Sequence, residues 1–429
     1  MTMKRFFSTC RIKRIASYFA LATIGTVWAT HTPAESIAIT NATLYTANNE
    51  GTLENATLVF EDGVITSINP DTVVADRTID GTGKIITPGL IGSLNQLGLV
   101  EVSAVASSRD AGEEKSDITF NPGLAYNPSS SAIPYNRKGG VTRSVITPYP
   151  SESNPFAGLA TTVDLTGELD AKVDERAAVI AHLGAQDKGS RAAKLQQIRN
   201  ALKEQQQKLA KAAEKKKKNK DKGEPSDKEQ LLTALLQNNK PLVIEAYRAS
   251  DLLALIKLKN DFGLNLIIAG ANDAVVVKDA LAAAQVPIIM SAMDNLPTNF
   301  DALHASLSNA AELEKAGVTV ILTVGGYDSA HNLYQLRFDA GNAVANGMSR
   351  EGALRAITAN VATIFNINAG ELAVGKQADL VMWSGDPFEL SSRVEALWID
   401  GSPYDTESRH DKLRNRYTTS SNMPEAYIK

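Results

Sequence analysis

Short apolar runs alternating with helical patterns fill the middle of the chain. Residues 242–246, 264–269, 286–291 and 318–323 are short apolar runs with few polar side chains, and 141–147, more polar, keeps Val141, Val145 and Ile146; all five read as buried strands. Residues 249–261, 273–284, 302–316 and 349–359 instead carry apolar positions at helical spacing, and Ser349 is a good helix-capping type. Strand–helix repeats call for a parallel sheet, because a parallel connection must cross over, and it does so right-handedly. The repeats run from Pro88 to Asn368. That length fits an α/β protein of the (β/α)8 TIM-type barrel class better than an open doubly wound sheet.

The two ends have a different rhythm. Residues 37–45, 56–60 and 64–68 alternate β-branched and polar side chains around Asp62 and Gly63, and residues 378–383 and 394–399 do the same ahead of Asp400 and Gly401. Neither set buries enough area alone. The pattern therefore predicts one composite β-sandwich domain from 36–87 and 369–404, a barrel over 88–368 and a polar tail over 405–429.

The first residues depart from both patterns. Lys4, Arg5, Arg11, Lys13 and Arg14 precede an apolar run over 15–29, and Val27 and Ala29 are small residues placed for cleavage. This is the arrangement of a secretory signal peptide over 1–29, and it predicts export to a bacterial periplasm. No later run is long enough to span a bilayer. Cys10, the single cysteine, lies inside that segment, so the mature chain is expected to use neither disulfides nor cysteine ligands or nucleophiles.

Composition adds bounds rather than an identity. The 429 residues are 43% hydrophobic and 21% charged, which excludes a disordered or collagen-like chain. A net charge of −4 gives no reason to expect nucleic acid as partner. The charge is uneven, however. Between Lys188 and Lys228 there are 14 basic and 5 acidic residues, so the rest of the chain stands at −13. Leu195, Ile198, Leu202 and Leu209 recur at helical spacing, predicting a helix to about Ala213 and then a solvated basic tip: an insertion in the barrel.

The Thr87-Pro88-Gly89-Leu90-Ile91 run after a small β region, the 351–362 helix and the Gly370–Trp383 stretch together resemble the amidohydrolase superfamily, closest to its imidazolonepropionase-like and dipeptidase-like group. The resemblance spans about Ser36 to Tyr404. It implies a metal-assisted barrel hydrolase beside a composite β-sandwich, acting on amide or cyclic amide bonds. Neutral imidazoles at strand ends would hold Zn²⁺, which lowers the pKa of a bound water to about 7, and an Asp on the last strand would accept the proton. By the same resemblance, Leu94 and Gln96 stand where the first His-x-His pair belongs. Glu245 and Tyr247 stand at the next pair, with Arg248 kept beside them. Ala269 takes the following histidine's place, and Gly325 falls where the catalytic Asp is expected, with Asp328 three residues later.

Histidine counting points the same way. Besides His31, the histidines are His182, His304, His331 and His410, and none forms a His-x-His or His-x-x-x-His pair. His182 follows an apolar run and can reach a strand end. His304 falls mid-helix, His410 falls in the tail, and His331 near Asp328 is the best candidate for chemistry. Two readings follow. In one, the two-metal site is degenerate, no metal cofactor is expected, and Gln96, Tyr247, Arg248 and Asn272 bind a small or peptide-like ligand, in a homo-oligomer or beside an active paralogue. In the other, a hydrolase works with one metal or none through Glu245, Asp328 and His331.

Overall fold

The computed structural model describes residues 35–151, 154–171, 173–184, 190–216, 224–325 and 330–418. The proposed signal segment and the lysine-rich tip at 217–223 lie outside the described residues. Among the described residues, no helix is long and apolar enough to cross a membrane.

The N-terminal strands are β1 (Ile37–Tyr45), β2 (Thr52–Glu61), β3 (Val64–Ile68), β4 (Arg77–Asp80) and β5 (Ile85–Pro88). The barrel strands are β6 (Leu90–Asn95), β7 (Val141–Ile146), β8 (Phe156–Asp164), β9 (Val173–His182), β10 (Leu242–Ala246), β11 (Leu266–Gly270), β12 (Ile288–Met290) and β13 (Val320–Leu322). Three strands near the other end complete the set: β14 (Leu380–Trp383), β15 (Val394–Ile399) and β16 (Ser402–Pro403).

One sheet joins the two ends of the chain, in the order β16-β15-β14-β5-β1-β2-β3 with β4 also paired to β1. β5 is the hinge of this arrangement: it lies parallel to β1 and antiparallel to β14, with Ile86 opposite both Leu44 and Met382. Ile39, Leu44, Leu58, Phe60, Leu380 and Trp398 share one core, where the Phe60 and Trp398 rings meet edge to face at 5.8 Å. Removing either end would leave the other with half a core.

The second sheet runs β6 to β13 in chain order, and the Thr323 hydroxyl donates to the Ser93 carbonyl across the seam between its two ends. An inner layer of Ile91, Val145, Ile180, Val243, Ile267, Ile289 and Ile321 fills the interior. Their sequence neighbours Leu242, Ile244, Leu266, Ile268 and Ile288 pack outward against the helices. Period-two alternation thus divides each buried strand between two cores.

The barrel departs from uniform strand–helix repetition in one place. β8 is antiparallel to both β7 and β9, whereas the other neighbours are parallel. Among the described residues, the connections flanking β8 hold no helix. Each is shorter than the dozen or so residues a crossover needs, so the chain reverses instead.

Ten helices are described: α1 (Ala132–Arg137), α2 (Arg191–Lys216), α3 (Asp227–Leu236), α4 (Ala249–Phe262), α5 (Lys278–Ala283), α6 (Asn309–Lys315), α7 (Leu336–Ala345), α8 (Arg350–Ala356), α9 (Ala359–Phe365) and α10 (Arg409–Thr418). α8 begins at its expected cap, the Ser349 hydroxyl accepting from the Gly352 amide. α9 brings Val361, Ala362 and Phe365 into the inner core. The basic insertion forms α2 and α3, packed as a hairpin in which Gln205 donates to Thr233 and Ile198 and Leu202 are buried. Arg199 on α2 pairs with Asp261 at the far end of α4, while Arg191 reaches Asp251 at its start. α2 therefore runs down the barrel wall, and its lysine-rich end points away from the C-terminal face.

Arg143 on β7 links the two sheets. Its Nε donates to Asp379 at 2.6 Å and its Nη2 to Asp400 at 2.9 Å, while the backbone amide of Asp400 donates to Asp379. Both Arg143 and Asp379 are buried.

Candidate functional site

Alternation along the parallel strands decides what reaches the C-terminal mouth. Two residues beyond the inward Val243, Ile267, Ile289 and Ile321 stand Glu245, Ala269, Ser291 and Thr323, and all four line one cavity of about 430 Å³. Leu94 also enters it. The β6–β7 register shifts between Ser93 and Asn95, and Leu94 has φ +52, so a bulge turns this side chain inward. The same bulge sends Gln96 elsewhere. Gln96 is fully buried, with Nε2 3.5 Å from the Thr147 carbonyl and no donor to its Oε1 among the described residues.

Glu245 is the central carboxylate. One oxygen lies 2.6 Å from His182 Nδ1, and the other accepts from the Tyr247 hydroxyl. His182 ends the neighbouring strand and is buried, so the pair is fixed by the parallel register that sets Glu245 opposite His182. An ionised Glu245 orders the imidazole with Nδ1 as the donor. The Tyr247 ring rests against Gly270, where φ is +80 and an added Cβ would stand 2.6 Å from the ring. Only glycine accommodates both that backbone and that ring. Lys194 stands nearby, its amine donating to the Gly184 carbonyl; burial pushes its pKa down, partly offset by Glu245.

The long β12–α6 connection supplies most of the remaining lining: Asp294, Asn295, Thr298, Asn299, Asp301 and Ala302. It is tied down at its start. Asp339 on α7 is buried and accepts from the Ser291 hydroxyl at 3.0 Å and the Ala292 and Met293 amides at 2.9 Å. Burial pushes its carboxyl up to about 6 against those bonds. Further along, Asp301 accepts from both Arg248 and Arg191. Asp251 beside them has its pKa raised, burial outweighing Arg191 and Arg248. Asn272 donates to Asn295 at 3.2 Å, linking the loops after β11 and β12.

Of the residues singled out from sequence, Glu245, Tyr247 and Asn272 meet in the mouth. Arg248 acts at the rim through Asp301. Gln96 lies behind the wall. His331 is half-buried and outside the cavity lining. Asp328 lies outside the described residues. His304 is not mid-helix: α6 starts only at Asn309, and His304 sits in a turn against Asp273, with Nδ1 3.2 Å from its carboxylate. The 302–308 stretch was drawn into the helix by its apolar spacing, but Asn and Ser hydrogen bonds hold it in turns. Sequence reasoning missed Ser291, Asp294, Asn295, Thr298, Asn299 and Asp301. A signal existed: Asn, Pro, Thr and Asp cluster over 294–301, a loop composition after a barrel strand, where ligand-contacting loops belong.

Among the described residues, no three His, Cys, Asp or Glu side chains are grouped to hold a metal ion.

A barrel with a polar C-terminal mouth and a composite sheet built from both chain ends defines an amidohydrolase-type architecture. The sequence profile of the amidohydrolase family matches residues 136–406, and the chain belongs to that family. The crystal structure of an amidohydrolase from Thermotoga maritima MSB8 is similar at a TM-score of 0.76 and 25% identity, covering 86% of this chain and 99% of that one. A putative prolidase from Bifidobacterium longum shares the fold at a TM-score of 0.50 and 17% identity, covering 87% and 95%. An Xaa-Pro dipeptidase with bound methionine in the active site does so at 0.54 and 14%, covering 86% and 100%. No curated protein matches the chain.

Proposed function

We propose that this is an exported amidohydrolase-family protein whose mouth has changed from a two-metal hydrolytic centre into a binding pocket for a small peptide-like ligand. The observation that carries the reading is the state of Glu245, whose two oxygens are engaged by His182 and Tyr247. The positions around it reinforce this. Leu94 and Ala269 offer no lone pair, and Gln96 does not line the cavity. The residues present therefore do not fit a pair of zinc ions, which need several imidazole or carboxylate donors at about 2 Å. What the mouth offers instead is a ring of amides, hydroxyls and carboxylates suited to peptide N–H, C=O and ammonium groups.

The prolidase and dipeptidase relatives suggest the probe. Titration with an Xaa-Pro dipeptide, followed by calorimetry and product analysis, is expected to show binding without turnover, weakened by Asp294→Asn. Steady hydrolysis abolished by Glu245→Gln would overturn the binding reading. It would favour a second one, supported by the short His182–Glu245 contact: a hydrolase with an altered site.

A further inference from the structure

A second cavity of about 300 Å³ lies between the composite sheet and α8, and no described residue lines both it and the mouth. Its floor is apolar. Ala47 and Leu354 are buried and pack with Tyr45 and Phe388 in a small cluster, which Phe388 joins to the main core. Arg350 forms one wall, its guanidinium 5.2 Å from the Phe388 ring centre and 5.6 Å from that of Tyr45. Its charge is already committed to Asp386.

Glu351 and Arg355 are differently placed. Both line the cavity, and their i,i+4 spacing on α8 puts them on one helix face, about one turn apart. Glu before Arg is the order that favours a pair within a helix. Yet neither side chain has a hydrogen bond or ion pair with any described residue, and Arg355 is only partly exposed. Glu54 adds a second exposed carboxylate at the edge. An uncommitted guanidinium and carboxylate, one turn apart beside a chamber whose floor is apolar and whose rim carries Thr43, Thr46, Asn48 and Thr52, match three features of one molecule class: an α-carboxylate, an α-ammonium and an apolar side chain. The volume suits a ligand at the small end of the usual range.

We propose that this cavity binds a free apolar amino acid, with its carboxylate on Arg355, its ammonium on Glu351 and its side chain over Ala47 and Leu354. The site is independent of the reading of the mouth. Calorimetric titration of the full chain with L-phenylalanine is expected to give one site per chain. Arg355→Gln and Glu351→Gln should each weaken it at least about tenfold, as loss of a charge-assisted contact does. On the unaltered protein, 3-phenylpropionate and phenethylamine, each lacking one charged group, should bind at least about tenfold more weakly than phenylalanine. Tyr247→Phe in the mouth should leave the affinity for phenylalanine unchanged, because Tyr247 does not line this cavity. Absence of phenylalanine binding, an affinity in either α8 variant equal to that of the unaltered protein, an affinity for either analogue equal to that for phenylalanine, or loss on Tyr247→Phe would each overturn the proposal.

Discussion

Replacing Arg143 by Met tests how the barrel and the composite sheet are held together. The side chain is 8% exposed and its main partner Asp379 is 0% exposed, so neither ion is solvated. Burial alone would lower the Arg143 pKa, but Asp379 and Asp400 outweigh it and raise it, so the ion stays charged. Arg143→Met strands the Asp379 carboxylate in a dry site, a change that costs about 3–5 kcal/mol, whereas an exposed pair is worth about 0–1 kcal/mol. Urea unfolding measures it with two probes. Trp383 and Trp398 both lie in the composite sheet and the third tryptophan, Trp28, belongs to the proposed signal segment, so in a chain beginning after Ala29 tryptophan fluorescence follows that sheet while far-UV circular dichroism follows the whole chain. The expected result is a loss of about 3–5 kcal/mol, with the fluorescence transition moving first. Arg143→Met with Asp379→Leu should recover at least half, because an apolar pair replaces a buried ion pair at little cost. A loss below about 1 kcal/mol in the single variant would show that the pair behaves like a surface contact and refute the reasoning.

Asp339 gives a pH signature. Burial holds its carboxyl at about 6 in the folded chain, above the ordinary aspartate value of 3.8, so the native state binds the extra proton between them. Its contribution to stability is present below about pH 4 and is lost as pH rises through about 6, amounting to about 3 kcal/mol. The stability of the protein relative to Asp339→Asn should therefore rise as pH falls from 7 to 4, and a flat difference would contradict it. Gly140 has φ +85, and an added Cβ would stand 2.5 Å from the Trp383 ring. Gly140→Ala should cost about 1–3 kcal/mol and shift tryptophan emission, and an unchanged melting temperature would count against the packing described. Tyr247→Phe strips Glu245 of a donor and should cost about 1.5–3 kcal/mol in unfolding experiments. Because Gly270→Ala displaces the same ring, the two changes should be non-additive, and simple additivity would refute the shared cause.

How much of this was legible depended on where the residues sit. The 242–246 run became β10 with identical bounds, because a strand buried on both faces advertises itself as a short, almost wholly apolar run, here interrupted only by Glu245. The 273–284 segment fared less well. Its first turn is a 3₁₀ helix over Ala274–Val277 and only Lys278–Ala283 is α-helical, since hydrophobic spacing does not report hydrogen-bond register. The reversed β8 was hidden for a related reason: its apolar sequence reads the same in either direction, and only the short flanking connections disclose its sense. In the mouth, counting from motifs located Glu245 and Tyr247, whose strand is regular. It did not anticipate that a bulge at Leu94 would separate that residue from Gln96, nor that His182 would meet Glu245, since their pairing depends on register between strands that are 63 positions apart in sequence.

The most direct test of the central claim is metal stoichiometry. Protein expressed in zinc-supplemented medium and dialysed against buffer should carry far less than one zinc, manganese or iron ion per chain by mass spectrometry, and should be no more thermally stable when zinc is added. Two ions per chain, lost together on Glu245→Gln and accompanied by a higher melting temperature, would show that the mouth holds the two-metal centre after all.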